Sequence, residues 1–387
     1  MHLQKWSSVF EEKRHDYSPL PRQRGGIYCI PSLRREGIQF IMINVRLKYM
    51  KIRQCLSWAV IISITILIQV AQAYVASVIP DTITVTDFRG KQLNFKKPVT
   101  RIVCLLESAL SGIYMLNEEK RIVGISANIY NSSVFSYYAA MDSRIRRKTL
   151  PAPGNWDFVN IESVIALKPD LVIIWADQKE SISALEDLGI PVYGVFISKK
   201  EDVYKEIRDF GKLTGSTQRA ETLVKYAQEE ISRIWKRVVA ARTKPAVYFM
   251  WAQGNLETSC GGSMVNDLID MAGGKNVCAA ISKEHAVVKM EDLIGWNPDI
   301  IVMWPNEKTA PSDILADPKW KMIKAVQNKK IYQLPDPFLC DLWTLKFIYS
   351  MKLVATWTHP ELFRDIDLAK EKEEMFRTLY GRKLQGI

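Results

Sequence analysis

Residues 160–175 read NIESVIALKPDLVIIW, and residues 289–304 read KMEDLIGWNPDIIVMW. The two stretches keep Glu162/Glu291, Ile165/Ile294, Pro169/Pro298, Asp170/Asp299 and Trp175/Trp304 in register, 129 residues apart. In each, apolar residues at three- and four-residue steps (Ile161, Val164, Ile165; Met290, Leu293, Ile294) predict an amphipathic helix. Pro169 and Pro298 end it, because proline disfavours helical geometry in the residue before it. The apolar run that follows, finishing in tryptophan, predicts a buried parallel strand. Only two copies exist and they lie far apart, so they are equivalent units of two lobes rather than neighbours in a solenoid.

The surrounding sequence repeats that alternation. Short β-branched or apolar runs at 83–87, 101–106, 122–126, 171–175 and 191–195 predict strands with helical patterns between them, and the pattern restarts at 246–251, 300–304 and 330–334. This is the signature of α/β sheets. Between the two sets, residues 217–242 carry Ala220, Leu223, Val224, Ala227, Ile231, Ile234 and Val238 on one helical stripe. Gly215-Ser216 supplies a start and Thr243-Lys244-Pro245 a stop. Such a helix runs about 39 Å, enough to cross a two-lobed protein, and a helix used as a hinge predicts modest lobe motion. The expected fold is therefore two Rossmann-like α/β lobes, 74–216 and 244–387, joined by one long helix over 217–243.

A net charge of +11 over 387 residues raises the question of a nucleic-acid partner. Residues 1–73 hold eleven Lys/Arg against four Asp/Glu, leaving 42 against 38 in the remainder. No basic stripe interleaved with aromatics stands there, and the densest run, Arg144 to Lys148, reads as a solvated loop. The excess charge lies beside an export signal. Residues 50–73 have a basic start (Lys51, Arg53), an apolar stretch from Leu56 to Val70, and Ala71-Gln72-Ala73 as an A-x-A cleavage site. The apolar stretch is short for a span of about twenty residues, which favours a cleaved signal peptide over an anchor. Residues 1–49 show no sustained periodicity and read as a non-native or disordered extension. The mature protein is expected to begin near Tyr74, soluble and periplasmic, and no cysteine follows the cleavage site to carry a lipid.

Ligands of open parallel sheets bind beyond the carboxyl ends of the strands. Those ends and the nearby loops carry Trp156, Trp175, Trp251, Trp304 and Trp343, which predicts an aromatic cleft between the lobes, suited to a large flat or greasy ligand. Motifs of catalysis are missing: there is no Walker A, HExxH, GxSxG, or GxGxxG after a strand. Beyond the leader the histidines are His285 and His359, too few for a histidine-built metal site or a triad. Ser263 reads as a helix cap rather than a nucleophile. Of Cys104, Cys260, Cys278 and Cys340, a Cys260–Cys278 pair and buried free thiols both fit an oxidising compartment.

Four stretches in order, ITVTDFRGKQLNFKKPVTRIVCL, GNWDFVNIESVIALKPDLVII, SCGGSMVNDLIDMAGGKNV and VKMEDLIGWNPDIIVM, resemble the periplasmic binding proteins of iron-siderophore, haem and cobalamin importers. The resemblance covers roughly residues 80–340, and the phrase around NIESVIALKPDLVI is its most specific part. It implies a non-enzymatic, monomeric protein that delivers a metal chelate, a ferric siderophore foremost, to an ABC permease dimer with its ATPase. Cobalamin and haem are the alternatives within that family. It also implies that Glu162 and Glu291 dock onto arginines of the two permease subunits, while helix N-terminal preference explains an isolated glutamate equally well.

Within the resemblance, Trp156 matches an aromatic cleft residue of cobalamin-binding members. Haem-binding members place a ligating tyrosine directly after the loop glycine, where this chain has Asn155; Tyr130, Tyr137 and Tyr138 are the nearby substitutes. Lys179, Lys346 and the run 144–148 are the cations available to an anionic siderophore. The stretch Asp336 to Trp343 departs from the family pattern and marks a different chelate or a small oxyanion. Two readings from other classes stand beside this one, a two-lobed α/β enzyme and a chelate-sensing module.

Overall fold

The computed structural model describes residues 35–78 and 82–383, which fall into two units, Met1–Ile79 and Pro80–Ile387. The described part of the first is one helix, Arg35–Val78. It begins inside the 1–49 segment, where the sequence shows no sustained periodicity and the expectation is a non-native or disordered extension. Its portion Lys48–Val70 has the length and composition of a signal sequence or of a membrane span alike. Residues 1–34 of the expected extension, and the side chains of Ala71 to Ala73, lie outside the described residues.

The second unit opens with an antiparallel hairpin of β1 (Ile83–Thr86) and β2 (Gln92–Phe95). The first sheet uses β3 (Ile102–Cys104), β4 (Ile122–Ile125), β5 (Leu171–Trp175) and β6 (Val192–Val195), in the order β4-β3-β5-β6 and parallel throughout. The second lobe carries β7 (Ala246–Met250), β8 (Glu257–Thr258), β9 (Lys275–Asn276), β10 (Ala286–Val287), β11 (Ile300–Met303) and β12 (Ile331–Gln333). Its sheet has the order β12-β11-β7-β9, again parallel, and β8 pairs with β10 at its margin.

The two halves of the repeat do the same structural work in their two lobes. Helices Ile161–Ala166 and Met290–Trp296 each bury one residue fully, Val164 and Leu293, while Ile165 of the expected stripe is 40% exposed. The residues before the prolines, Lys168 and Asn297, both sit in the left-handed region at φ 46°, so the chain leaves the helix sharply there. The aspartates then tie the next strand to its neighbour. Asp170 accepts from Thr100 N (2.7 Å), Thr100 Oγ1 (2.6 Å) and Arg101 N (3.0 Å), just before β3. Asp299 accepts from Ala246 N (2.8 Å), the first residue of β7, and pairs with Lys324 Nζ (2.5 Å).

The connecting helix runs Thr217–Val238, four residues shorter than the 217–242 stripe, and buries Ala220, Leu223, Val224, Ala227, Ile234 and Val238. These residues belong to one continuous core that reaches from Ile102 and Tyr193 in the first lobe to Phe249, Phe347 and Phe376 in the second half of the chain. The helix Leu368–Tyr380 of the 244–387 lobe packs on the helix Phe347–Thr358 of its own lobe and also reaches the helix Glu107–Met115 of the first. Tyr380 Oη lies 2.5 Å from Ser111 Oγ, and Arg219 donates to the carbonyls of Met115, Thr378 and Leu379. Lys352, 1% exposed, is held between Glu230 and Glu371, and Arg233 bridges the same two carboxylates at 2.7 Å each. Three helices are thereby clamped by an ionic cluster in which each charge meets an opposite one, while the buried Arg233 Nε has no acceptor among the described residues.

Candidate functional site

Between the lobes lies a cavity of about 520 Å³. Four of the five expected tryptophans line it, Trp156, Trp175, Trp304 and Trp343, together with Tyr138, Phe338 and the aliphatic side chains of Leu106, Val134, Val195 and Ile197. Trp175 and Trp304 enter from the ends of strands, Trp156 and Trp343 from longer loops, and Tyr138 from the helix Phe135–Met141. Trp175 is the last residue of β5, and Trp304 follows β11 with its N–H donating to Met250 O at 2.8 Å. Trp251, 6% exposed, lies behind this wall: it stacks on Trp343 (centroids 5.9 Å, 12°), packs on Trp304 (5.2 Å), and donates Nε1 to Ser259 Oγ at 2.8 Å. It borders instead a smaller annex of about 150 Å³ shared with Trp175, Phe196, Trp343 and His285.

The loop carrying Trp156 is built by its neighbours. A Cβ on Gly154 would fall 2.3 Å from Phe158 O, so only glycine lets the loop close on itself. Asn155 then holds the turn, its Oδ1 accepting from the N–H groups of Asp157 (2.8 Å) and Phe158 (2.9 Å). Trp156 itself is half exposed, at 50%.

The stretch 336–343 supplies Pro337, Phe338, Asp341 and Trp343 to the cavity. Phe338 is fixed by stacking on Tyr137 (4.3 Å, 10°) and by an edge contact with Tyr138 (5.3 Å). Beneath it Lys346, 1% exposed, places Nζ 3.6 Å from the Phe338 centroid, 2.9 Å from Ser111 Oγ and 3.7 Å from Asp341 Oδ2. Burial pushes the Lys346 ammonium down to about 8 despite Asp341, and burial likewise raises the Asp341 carboxyl. The second lining carboxylate, Glu107, stands in the first turn of the helix Glu107–Met115 and accepts from Ser126 Oγ at 2.8 Å.

None of the cations available from the sequence is on the cavity wall. Lys346 is buried behind Phe338, Lys179 is exposed at a helix start, and Arg144 is spent on the Asp142 carboxylate and the carbonyls of Ile122 and Glu119. Two of the three phenols near the site are also engaged: Tyr130 donates to Leu150 O (2.9 Å) and Tyr138 to Glu107 O (2.7 Å), while Tyr137 stacks on Phe338 and its phenol is pushed up by burial and by the Asp336 charge. Among the described residues no cluster of three or more His, Cys, Asp or Glu is arranged to hold a metal. Cys260 and Cys278 form a disulfide, whereas Cys104 and Cys340 are free, buried and shifted up by that burial. Glu162 and Glu291 occupy equivalent first-turn positions of the two repeat helices, exposed and without an ion-pair partner.

Sequence reasoning passed over Glu107, Phe338 and Asp341. Glu107 stands just after the β3 run, where the strand-end rule that found the tryptophans also points, but a lone glutamate there reads as a helix start. Phe338 and Asp341 belong to the stretch marked as divergent and carried no periodic signal.

Residues 102–338 match the model of the periplasmic binding protein family. The molybdate-binding protein MolA of Haemophilus influenzae is 25% identical over 321 residues, covering 76% of this chain and 90% of that protein. Its crystal structure with molybdate superposes with a TM-score of 0.67 at 23% identity, over 78% of this chain and 99% of the other. A periplasmic solute-binding protein of Veillonella parvula gives a TM-score of 0.63 at 27% identity, over 78% of this chain and 94% of its own.

Proposed function

The chain belongs to the periplasmic binding protein family, and from that membership we propose that it carries a metal chelate, a ferric siderophore foremost, to an ABC importer. It is a substrate-binding protein rather than an enzyme. The observation that carries the cargo reading is the wall of the interlobe cavity: about 520 Å³ faced by four tryptophans, Tyr138 and Phe338. That volume lies inside the range of roughly 300–1,000 Å³ typical of organic ligands. A tetrahedral oxyanion such as the molybdate of the Haemophilus relative would leave most of it empty and would meet two carboxylates. A bulky chelate instead buries its apolar rim against the rings, where each aromatic contact adds about 0.5–1.5 kcal/mol beyond the area removed from water. Cobalamin is the second reading, supported by Trp156 at the cleft mouth. Haem is the weaker fit at Tyr130 and Tyr138, whose phenols both donate within the chain.

Delivery rests on Glu162 and Glu291. They are like-charged, exposed and placed on equivalent helices of the two lobes, which suits a two-fold permease that offers the same cationic patch twice. Charge pairing of this kind sets orientation and encounter rate more than affinity. The protein works outside the cytoplasm, as a monomer, with the apolar N-terminal helix as its export signal.

The test is a titration of the protein from Tyr74 onward, followed by tryptophan fluorescence, with ferric siderophores of several classes, cobalamin, haem and molybdate. Saturable quenching by a ferric siderophore at micromolar affinity or tighter is expected, and a response to molybdate alone would replace the chelate reading with an oxyanion one. The paired substitution Glu162→Ala and Glu291→Ala should leave that affinity unchanged while uptake into cells falls. Unaltered uptake would remove the docking role.

A further inference from the structure

We propose that the cavity selects its cargo by positive charge, holding a cationic group at the Glu107 carboxylate among the surrounding aromatic rings. The inference rests on reading the cavity as the cargo site and adds the charge of what it takes. Of the residues lining it, the ionisable acids and bases are Glu107 and Asp341, with no lysine, arginine or histidine among them. The two carboxylates differ in how they are answered. Asp341 has Lys346 Nζ at 3.7 Å and accepts from Trp343 N at 3.0 Å, so its charge is largely balanced from behind the wall.

Among the described residues Glu107 has no ion pair; one oxygen accepts from Ser126 Oγ and the other has no partner. It is partly exposed, and its access to solvent is through a cavity walled by Trp175, Trp304, Trp343 and Tyr138. The indole Nε1 of Trp175 is turned to Asp177 Oδ2 (3.2 Å) and that of Trp251 to Ser259, so neither is a donor for an anionic cargo. Aromatic faces carry negative potential and attract cations, more strongly as water is excluded. Rings and carboxylate act with one sign; the uncapped N-terminus of the helix Glu107–Met115 and the indole N–H groups of Trp156, Trp304 and Trp343 oppose them on the same wall, but as partial charges of about +0.5 or less against the full charge on Glu107.

Two probes of one shape isolate the charge: tetraphenylphosphonium and tetraphenylborate, each four phenyl rings about a central atom, titrated calorimetrically in sodium buffer. We expect the cation to bind at least about tenfold tighter than the anion, the scale of one desolvated cation–π or ion-pair contact. Glu107→Gln keeps the acceptor for Ser126 and removes the charge. It should weaken phosphonium about tenfold without weakening borate. Asp341→Asn, which leaves the Lys346 charge unanswered, should move the ratio further toward borate. Borate binding as tightly as phosphonium, absence of phosphonium binding, or an unchanged ratio in Glu107→Gln would each overturn the inference. The phosphonium preference does not depend on a metal chelate. If it holds while every ferric siderophore fails to bind, the chelate reading falls and the charge selection stands; if siderophores bind whatever their charge, the reverse is true.

Discussion

Glu206 is the residue whose chemistry and surroundings disagree most. It sits on the helix Lys200–Thr214 with no exposed surface, and neither carboxylate oxygen has a hydrogen-bond partner. Burial, with the Asp341 charge added, pushes its carboxyl well above the ordinary range. Lys346 is equally buried, yet it has Ser111, Asp341 and the Phe338 ring and keeps its proton to about pH 8. The difference predicts opposite responses to removal. Replacing Glu206 with Met, of similar length and without polar atoms, should stabilise the fold by about 1–3 kcal/mol at neutral pH, the usual cost of an unsatisfied buried polar group. The sign of the pH dependence follows from linkage. A carboxyl whose folded pKa is raised binds its proton in the folded state while the unfolded chain releases it near 4.5, so wild-type stability falls as pH climbs above that value. The gain from Glu206→Met should therefore be larger at pH 8 than at pH 5 in urea denaturation, and a loss at both would mean that the carboxyl is satisfied. Nothing in the charged run KEDVYKEIRD, residues 200–209, signals which of its acids is inside; burial of Glu206 is decided by helix packing that no local pattern encodes.

At the level of elements, the repeat divides its conserved letters between structure and surface. Pro169 and Pro298 turn the chain, Asp170 and Asp299 tie it to the neighbouring strand, and Glu162 and Glu291 face solvent. Asp170→Ala leaves the N–H groups of Thr100 and Arg101 without their acceptor and should cost about 1–3 kcal/mol. Glu162→Ala should stay within about 0.5 kcal/mol, as exposed substitutions do. Burial alone would raise the Asp170 carboxyl, but the hydrogen bonds from Thr100 and Arg101 outweigh it and hold the group below the ordinary aspartate range. Its contribution is then complete above about pH 4 and lost as pH falls through the folded value. Denaturation of wild type and Asp170→Ala at pH 7 and pH 3 should show the gap closing at the lower pH. All eight expected strands are present within two residues of their expected ends; seven are parallel strands that advertise themselves by continuous hydrophobicity, and β1 is a half-exposed antiparallel strand marked by its β-branched run. Of the missed pairings, the two-residue β8, β9 and β10 are too short to carry a period, whereas the four-residue β2, QLNF, alternates polar and apolar residues without a continuous apolar run. The aromatic wall was legible in part for the same reason as the strands, since Trp175 and Trp304 stand where the apolar runs stop.

For the whole molecule, the decisive feature is that each lobe has a core of its own and the two share a third. The connecting helix, the first lobe and the C-terminal helices share one continuous set of buried side chains, and the Lys352–Glu230–Glu371–Arg233 cluster pins three of those helices together. That the last helix also reaches the first lobe was invisible in the sequence, because an amphipathic stripe says which face is buried and not against what. Ordinary interdomain surfaces permit relative motion unless they are large and hydrophobic; this one is both, and close-packed interiors do not deform continuously. Cargo must then enter a cleft that is already formed, with the half-exposed Trp156 loop as the part free to adjust. Spin labels on Asp187→Cys in the first lobe and Lys319→Cys in the second, both exposed, should give one narrow distance distribution. Saturation with tetraphenylphosphonium, or with whichever ferric siderophore quenches the tryptophans, should move it by no more than about 2 Å, the scale of small shear between packed helices. A shift of several times that size would show that the shared core parts on binding, and the ionic cluster would then have to open with it. Lys352→Met distinguishes the two cases, since it removes the central cation of the cluster: a rigid body keeps its distance distribution and loses stability, whereas a clamped hinge broadens the distribution before any ligand is added.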